Sequence, residues 1–160
     1  MGGSYTRGNT TAAAEFNIYV DPEAAAMVFE AGWPVTMIGL EVTQLALADD
    51  EVISRIEALG TPVAAAVVGM LRFYGQQQLR EMGVAAPPVH DPCAVARVAM
   101  PELVTCREAR VDVELTGRFT TGMTVTDFRM RDGVRQNAAV GVGLDVGGFW
   151  DLFIDALKRI

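Results

Sequence analysis

At three places in this chain, an acidic or hydroxyl residue stands directly before a proline: Asp21-Pro22, Thr61-Pro62 and Asp91-Pro92. Asp and Thr offer a side-chain oxygen to the open N–H groups of a first helical turn, and proline suits that turn because it has no N–H to lose. This punctuation fixes where helices begin, and glycine fixes where two of them stop. The first is expected over residues 24–30 and halts at Gly32; the second runs from Thr61 to about Met82 before Gly83. The third runs to about Met100, and Asp49 caps another whose apolar face is Val52, Ile53, Ile56 and Leu59. Ile18-Tyr19-Val20 is a short apolar stretch, and residues 34–40 read as a buried strand. Residues 111–115 alternate as a half-solvated strand, with residues 123–130 as hairpin partner across a turn near 117–122. Residues 137–146 form a further strand, and Phe149, Trp150, Phe153 and Leu157 mark a last amphipathic helix. The order is mixed α/β with a small antiparallel hairpin. With no internal repeat, low-complexity tract or linker, residues 1–160 read as a single domain.

Composition enters where partners are concerned. A chain of 160 residues, 51% of them apolar, can bury a core, about 70% of its unfolded surface at this size. A net charge of −7 argues against nucleic acid, which needs clustered Lys and Arg. No apolar run approaches the roughly 20 residues that span a bilayer, so no membrane partner is expected. Met1-Gly2-Gly3-Ser4 lacks the basic-then-apolar layout of a secretion signal. Cys93 and Cys106 give no disulfide framework, and a reducing cytoplasm is the expected setting. The start also fits an N-myristoylation pattern and Asn9-Thr10-Thr11 a glycosylation sequon. Neither has a basic patch or secretion signal beside it, and Gly2 and Gly3 read better as a tight turn.

Two polar constellations stand out. His90 is the only histidine, and Pro87 and Pro88 force an extended approach to it. Asp91 beside it has two readings. It is a helix cap, worth about 1 kcal/mol, or a carboxylate that caps with one oxygen and faces a cleft with the other. Histidine is the side chain best suited to proton transfer near neutral pH. The second constellation is Gly8-Asn9-Thr10-Thr11-Ala12-Ala13-Ala14-Glu15-Phe16-Asn17, running on into Asp21-Pro22-Glu23. Asn9, Glu15 and Asn17 are either turn residues or donors and acceptors for a sugar, whose hydroxyls both give and take hydrogen bonds. Asp21 is explained as a cap alone. Tyr74 and Gln78 lie one helical turn apart, and the run Gln76-Gln77-Gln78 is natural on a solvated face. Trp33 and Trp150 read as core or interface residues, and Cys93 as helix packing.

Taken together, these segments resemble the C-terminal half of the nucleoside hydrolases, calcium-dependent N-ribohydrolases that prefer inosine and uridine. The matching pieces are Gly8-Asn9, Ala14-Glu15-Phe16-Asn17, Asp21-Pro22-Glu23-Ala24-Ala25 and His90-Asp91-Pro92. The resemblance implies an α/β fold whose mainly parallel sheet is flanked by helices, with its site at the carboxyl ends of the strands. It implies hydrolysis of the N-glycosidic bond of ribonucleosides to free base and ribose by a calcium-bound water, a reaction of purine and pyrimidine salvage. Asn9, Glu15 and Asn17 would hold the ribose, His90 would protonate the departing base, and Asp91 would bind calcium. Tyr74 and Gln78 would approach the nucleobase. One departure is large. Members carry an N-terminal motif of the form Asp-x-Asp-x-x-x-Asp-Asp, and here Asp49-Asp50, at a helix start, is the only adjacent pair. Calcium takes about 6–8 oxygens, so most ligands are expected from an N-terminal part that these residues do not include. The alternative is a catalytically incomplete fragment that binds ribose or nucleoside weakly, or serves a structural role. A sheet edge left open is a template for self-association, so a homo-oligomer is expected.

Overall fold

Five side chains placed one residue ahead of a first turn each accept backbone N–H bonds there. Glu15 opens α1 (Phe16–Val20), Asp21 opens α2 (Pro22–Glu30) and Asp49 opens α4 (Asp50–Glu57), the short α3 (Leu40–Thr43) lying between. Thr61 opens α5 (Pro62–Met82), and Asp145 opens α7 (Val146–Leu157). The remaining helix, α6 (Asp91–Ala99), has no side-chain cap bond. The caps expected at Asp21, Asp49 and Thr61 are therefore present, and α5 ends as expected at Gly83 in the left-handed conformation, φ 69°. The structure is a computed structural model that describes residues 1–83, 86–129 and 132–160. Among them no helix is long and apolar enough to cross a membrane.

The strands are β1 (Thr36–Met37), β2 (Val104–Val113), β3 (Thr124–Asp127) and β4 (Ala138–Leu144), paired in the order β1-β4-β2-β3. β1 runs parallel to β4, with Thr36 opposite Ala139. β4 and β2 are antiparallel, with Val104 opposite Leu144 and a register shift between Thr105 and Cys106. β2 and β3 form the expected hairpin, Val113 opposite Thr124. Met130, the far end of the hairpin strand read from the sequence, lies outside the described residues. The sheet is thus mixed, which corrects the mainly parallel sheet implied by the resemblance. The reason is connectivity: β2 and β3 are joined by a turn too short for the crossover that parallel pairing needs.

One further expectation changes. The strand read at 34–40 shortens to β1, because beyond Met37 the chain pairs elsewhere: Gly2 N–H donates to Ile38 O and Leu40 N–H to Gly3 O. The stretch Ile18-Tyr19-Val20 is helical, inside α1.

The contacts divide the chain into two compact units. The first, Met1–Thr43 with Val104–Leu144, has a core of Phe29, Met37, Ala109, Val111, Ala138 and Val140. Asn137 stitches this core where strand pairing stops. Its Oδ1 accepts from Val111 N–H (2.7 Å), and its Nδ2 donates to Val111 O and Phe29 O. Gly3, at φ 80°, turns the chain where a Cβ would meet the Met37 sulfur at 2.7 Å. The second unit, Gln44–Leu103 with Asp145–Ile160, buries Ile56, Val68, Cys93, Phe149, Trp150 and Ile154. Trp150 and Phe149 meet edge to face in its core, ring centroids 5.0 Å apart, whereas Trp33 in the first unit is 59% exposed and takes no core role.

Candidate functional site

In the first unit the candidate sugar-binding residues surround the start of α1. A helix leaves its first N–H groups without partners inside the helix. Here three consecutive ones are met by side chains: Phe16 N–H donates to Asn9 Oδ1 (3.0 Å), Asn17 N–H to Glu15 Oε1 (3.0 Å) and Ile18 N–H to Glu15 Oε2 (3.2 Å). Glu15 Oε2 also accepts from Gly3 N–H at 2.9 Å, and Glu15 is buried. Asn17 reaches back, its Nδ2 donating to Met1 O at 3.3 Å. The intervening loop is held by its own backbone, Gly8 N–H to Ala12 O and Thr10 N–H to Ala14 O. The structure therefore brings Asn9, Glu15 and Asn17 together at the start of α1. It also gives Glu15 a structural task that the sequence reading did not foresee. Asn9 and Asn17 remain exposed.

Two residues of this region were missed. Phe16 is 56% exposed between Glu15 and Asn17, an apolar side chain beside polar groups. It stood inside the quoted motif, but no role was drawn from it. Glu41, on α3, holds the loop that leads into the site. Its Oε1 accepts from Ser4 Oγ (2.6 Å), Tyr5 N–H (2.9 Å), Thr6 N–H (2.8 Å) and Thr6 Oγ1 (2.8 Å). Its one sequence signal was an acidic residue inside an apolar stretch. Burial, with the Glu41 carboxylate next, pushes the Tyr5 phenol up, while Arg107 opposes the shift.

In the second unit the approach to His90 is anchored by pairing. Ala48 N–H donates to Pro87 O (2.9 Å) and Val89 N–H to Ala46 O (3.0 Å), so the Pro-Pro segment is extended, as expected. Gly75 on α5 lets this segment lie close, because a Cβ there would sit 3.1 Å from the Pro87 ring. Tyr74 and Gln78, on the same helix, are half-buried and bonded, Gln78 Nε2 donating to Tyr74 OH at 2.9 Å. Pairing to each other replaces the purely solvated face that the glutamine run suggested.

Asp91 does not cap α6. The N-cap position belongs to His90, whose φ of −93° and ψ of −68° depart from the extended conformation that directs a cap side chain at the first turn. Asp91 is the first residue of the helix, exposed, so the capping reading is corrected. Cys93 behaves as packing: it is fully buried, its Sγ lies 3.3 Å from Val89 O, and burial pushes its thiol up to about 12. A buried thiol bonded to a backbone carbonyl fits the packing role read from the sequence. Among the described residues no group of three or more His, Cys, Asp or Glu side chains could hold a metal ion.

The comparisons define the class first. The fold is shared with a solved purine-preferring ribonucleoside hydrolase from Gardnerella vaginalis, at a TM-score of 0.88 and 34% identity, covering 99% of this chain and 51% of that one. The inosine-uridine preferring nucleoside hydrolase of Crithidia fasciculata is 45% identical over 160 residues, 100% of this chain and 51% of that protein. A pyrimidine-specific ribonucleoside hydrolase, RihA, of Escherichia coli is 47% identical over 159 residues, 99% of this chain and 51% of that protein. The sequence profile described as inosine-uridine preferring nucleoside hydrolase matches residues 1–151, and the chain belongs to that family. It spans about half the length of the curated relatives it matches, corresponding to their C-terminal half.

Proposed function

We propose that this chain provides the sugar-binding and leaving-group residues of a ribonucleoside hydrolase. The observation that carries the reading is the gathering of Asn9, Glu15 and Asn17 around the start of α1 in a chain 45% identical to a nucleoside hydrolase. In the reaction, the bond between C1′ and the base nitrogen breaks with its electron pair passing to the base. Water adds its oxygen to C1′ and passes a proton to solvent, which balances the proton that the departing base takes up. Asn9 and Asn17 hold the ribose hydroxyls, Glu15 fixes both the helix start and the sugar, and Phe16 covers the carbon face. His90 gives a proton to the departing base, an effect of about 10²–10⁴ in rate for a general acid. Tyr74 and Gln78 face the base, inosine, uridine or a similar nucleoside being the substrate. Calcium is the metal we assign, and when bound it supplies an acidified water. Asp91 is the ligand this chain offers, and the other oxygens come from outside the described residues. The setting is nucleoside salvage in the cytoplasm, and the working assembly is a homo-oligomer.

The test is release of free base from inosine and uridine, in excess calcium and then with chelator. Calcium-dependent release that falls by about 10²–10⁴ in His90→Ala supports the reading; a rate unchanged for every nucleoside removes His90 from it. A second reading, a half-site that binds ribose without turnover, is favoured by the lack of a metal-binding cluster among the described residues. It predicts nucleoside binding indifferent to chelator and no base release.

A further inference from the structure

Two side chains from distant parts of the first unit meet on the loop of residues 4–6, ahead of Asn9. Glu41, in the first turn of α3, presents Oε1 to the consecutive N–H groups of Tyr5 and Thr6 (2.9 and 2.8 Å) and to the Thr6 hydroxyl (2.8 Å). Successive N–H groups that converge in this way form an anion-binding nest, here filled by the chain's own carboxylate. The other oxygen, Oε2, is buried with no hydrogen-bond partner among the described residues. A buried oxygen left bare costs stability, so what holds Glu41 in place is the grip of Oε1 on the loop. Thr124, the first residue of β3 and 1% exposed, grips the loop from a second element. Its Oγ1 accepts from Ser4 N–H (2.8 Å) and donates to Ser4 O (2.7 Å), so one hydroxyl meets both backbone polar groups of a buried residue.

Gly3 connects this clamp to the candidate sugar site. A Cβ on Gly3 would sit 3.1 Å from Thr124 Oγ1, and the Gly3 N–H donates to Glu15 Oε2 at 2.9 Å. The turn before β3 also touches the helix that Glu15 opens. At Gly122, φ 81°, a Cβ would lie 3.0 Å from Tyr19 Cα in α1. We propose that Glu41 and Thr124 are positioning residues for the sugar-binding group, acting through Gly3 on the Glu15 carboxylate. The inference rests on the sugar reading of Glu15 only for its consequence in binding.

The test is amide hydrogen exchange of the 160-residue chain, followed by NMR, with inosine titrated into the same samples. In Glu41→Ala the transmitted effect is read at Gly3 and Ile18, the two N–H groups that Glu15 Oε2 holds. Their exchange is expected to quicken about tenfold or more, the factor that one lost bond to a charged group is worth. Val140, in the β2–β4 ladder of the same unit, keeps the parent rate. Formate, a small carboxylate, refills the nest and restores the parent rates at Gly3 and Ile18; chloride at equal ionic strength does not. Thr124→Val, of nearly the same shape, quickens the same two amides, and Thr124→Ser, which keeps the hydroxyl, does not. The valine variant supplies the reading if Glu41→Ala fails to fold. Inosine affinity falls about tenfold in Glu41→Ala and Thr124→Val and returns with formate in the first. Exchange that quickens across the whole unit, rates at Gly3 and Ile18 unchanged in both variants, or rescue by neither formate nor serine overturns the proposal. The expected exchange pattern in a chain that binds no inosine defeats the sugar reading and leaves the link from Glu41 and Thr124 to Glu15 standing.

Discussion

Glu15 and Asp91 are both carboxylates at the start of a helix, and the fold uses them in opposite ways. Glu15 sits one residue ahead of α1 with extended backbone, φ −78° and ψ 149°, and both its oxygens are taken up by three backbone N–H groups. Asp91 is inside α6, exposed, and its helix has no side-chain cap bond. Resemblance assigned both to ligand binding. The geometry shows that one is part of the framework of its unit, while the other has no such duty. Membership of a motif therefore does not say whether a residue is kept for folding, for chemistry or for both.

The largest test of that contrast is Glu15→Ala. It strands the buried N–H donors of Gly3 and Ile18 and the half-buried one of Asn17, and leaving a buried donor unpaired costs about 1–3 kcal/mol. Partial rescue by water leaves an expected loss of about 2–4 kcal/mol in urea denaturation. Glu15→Gln, which keeps one accepting oxygen, falls between. A loss below about 1 kcal/mol in the alanine variant would mean that the carboxylate is not structural. Asp21→Ala sharpens the scale. Its exposed carboxylate makes a single cap bond, to Ala24 N–H at 2.9 Å, and its removal should cost about 1 kcal/mol.

What the sequence made legible was local. Asp21, Asp49, Thr61 and Gly83 act within four residues of themselves, and each was read correctly from its neighbours. The Asn9, Glu15 and Asn17 cluster was legible for the same reason, since it spans nine residues and closes around one helix start. The direction of the sheet was not legible, because the partner of β4 depends on residues far along the chain. The shortened β1 reflects a competition that no local pattern reveals: Ile38 and Leu40 bond to Gly2 and Gly3 instead. Glu41 escaped notice because its partners lie 35 to 37 residues away, beyond any motif window. Asp91 was misread as a cap because Asp-Pro is a good cap signal, and His90 occupies the cap position instead.

The smallest expected effect is the one that isolates Asp91. As an anion in the first turn of α6, it interacts favourably with the helix dipole, a contribution of about 0.3–1 kcal/mol that salt screens. Asp91→Asn removes the charge and keeps the shape, so it should destabilise the chain by a few tenths of a kcal/mol. The difference should shrink further in high salt. Because Asp21→Ala removes a real cap bond, its cost should exceed that of Asp91→Asn and persist in salt. If Asp91→Asn instead matches Asp21→Ala in urea denaturation at both salt concentrations, Asp91 carries a structural bond and the contrast with Glu15 collapses. If the stability ordering holds while Asp91→Asn abolishes any calcium response of the assembled protein, the carboxylate is kept for the metal. A folding role too weak to preserve it would then be the evidence that its role lies in the chemistry.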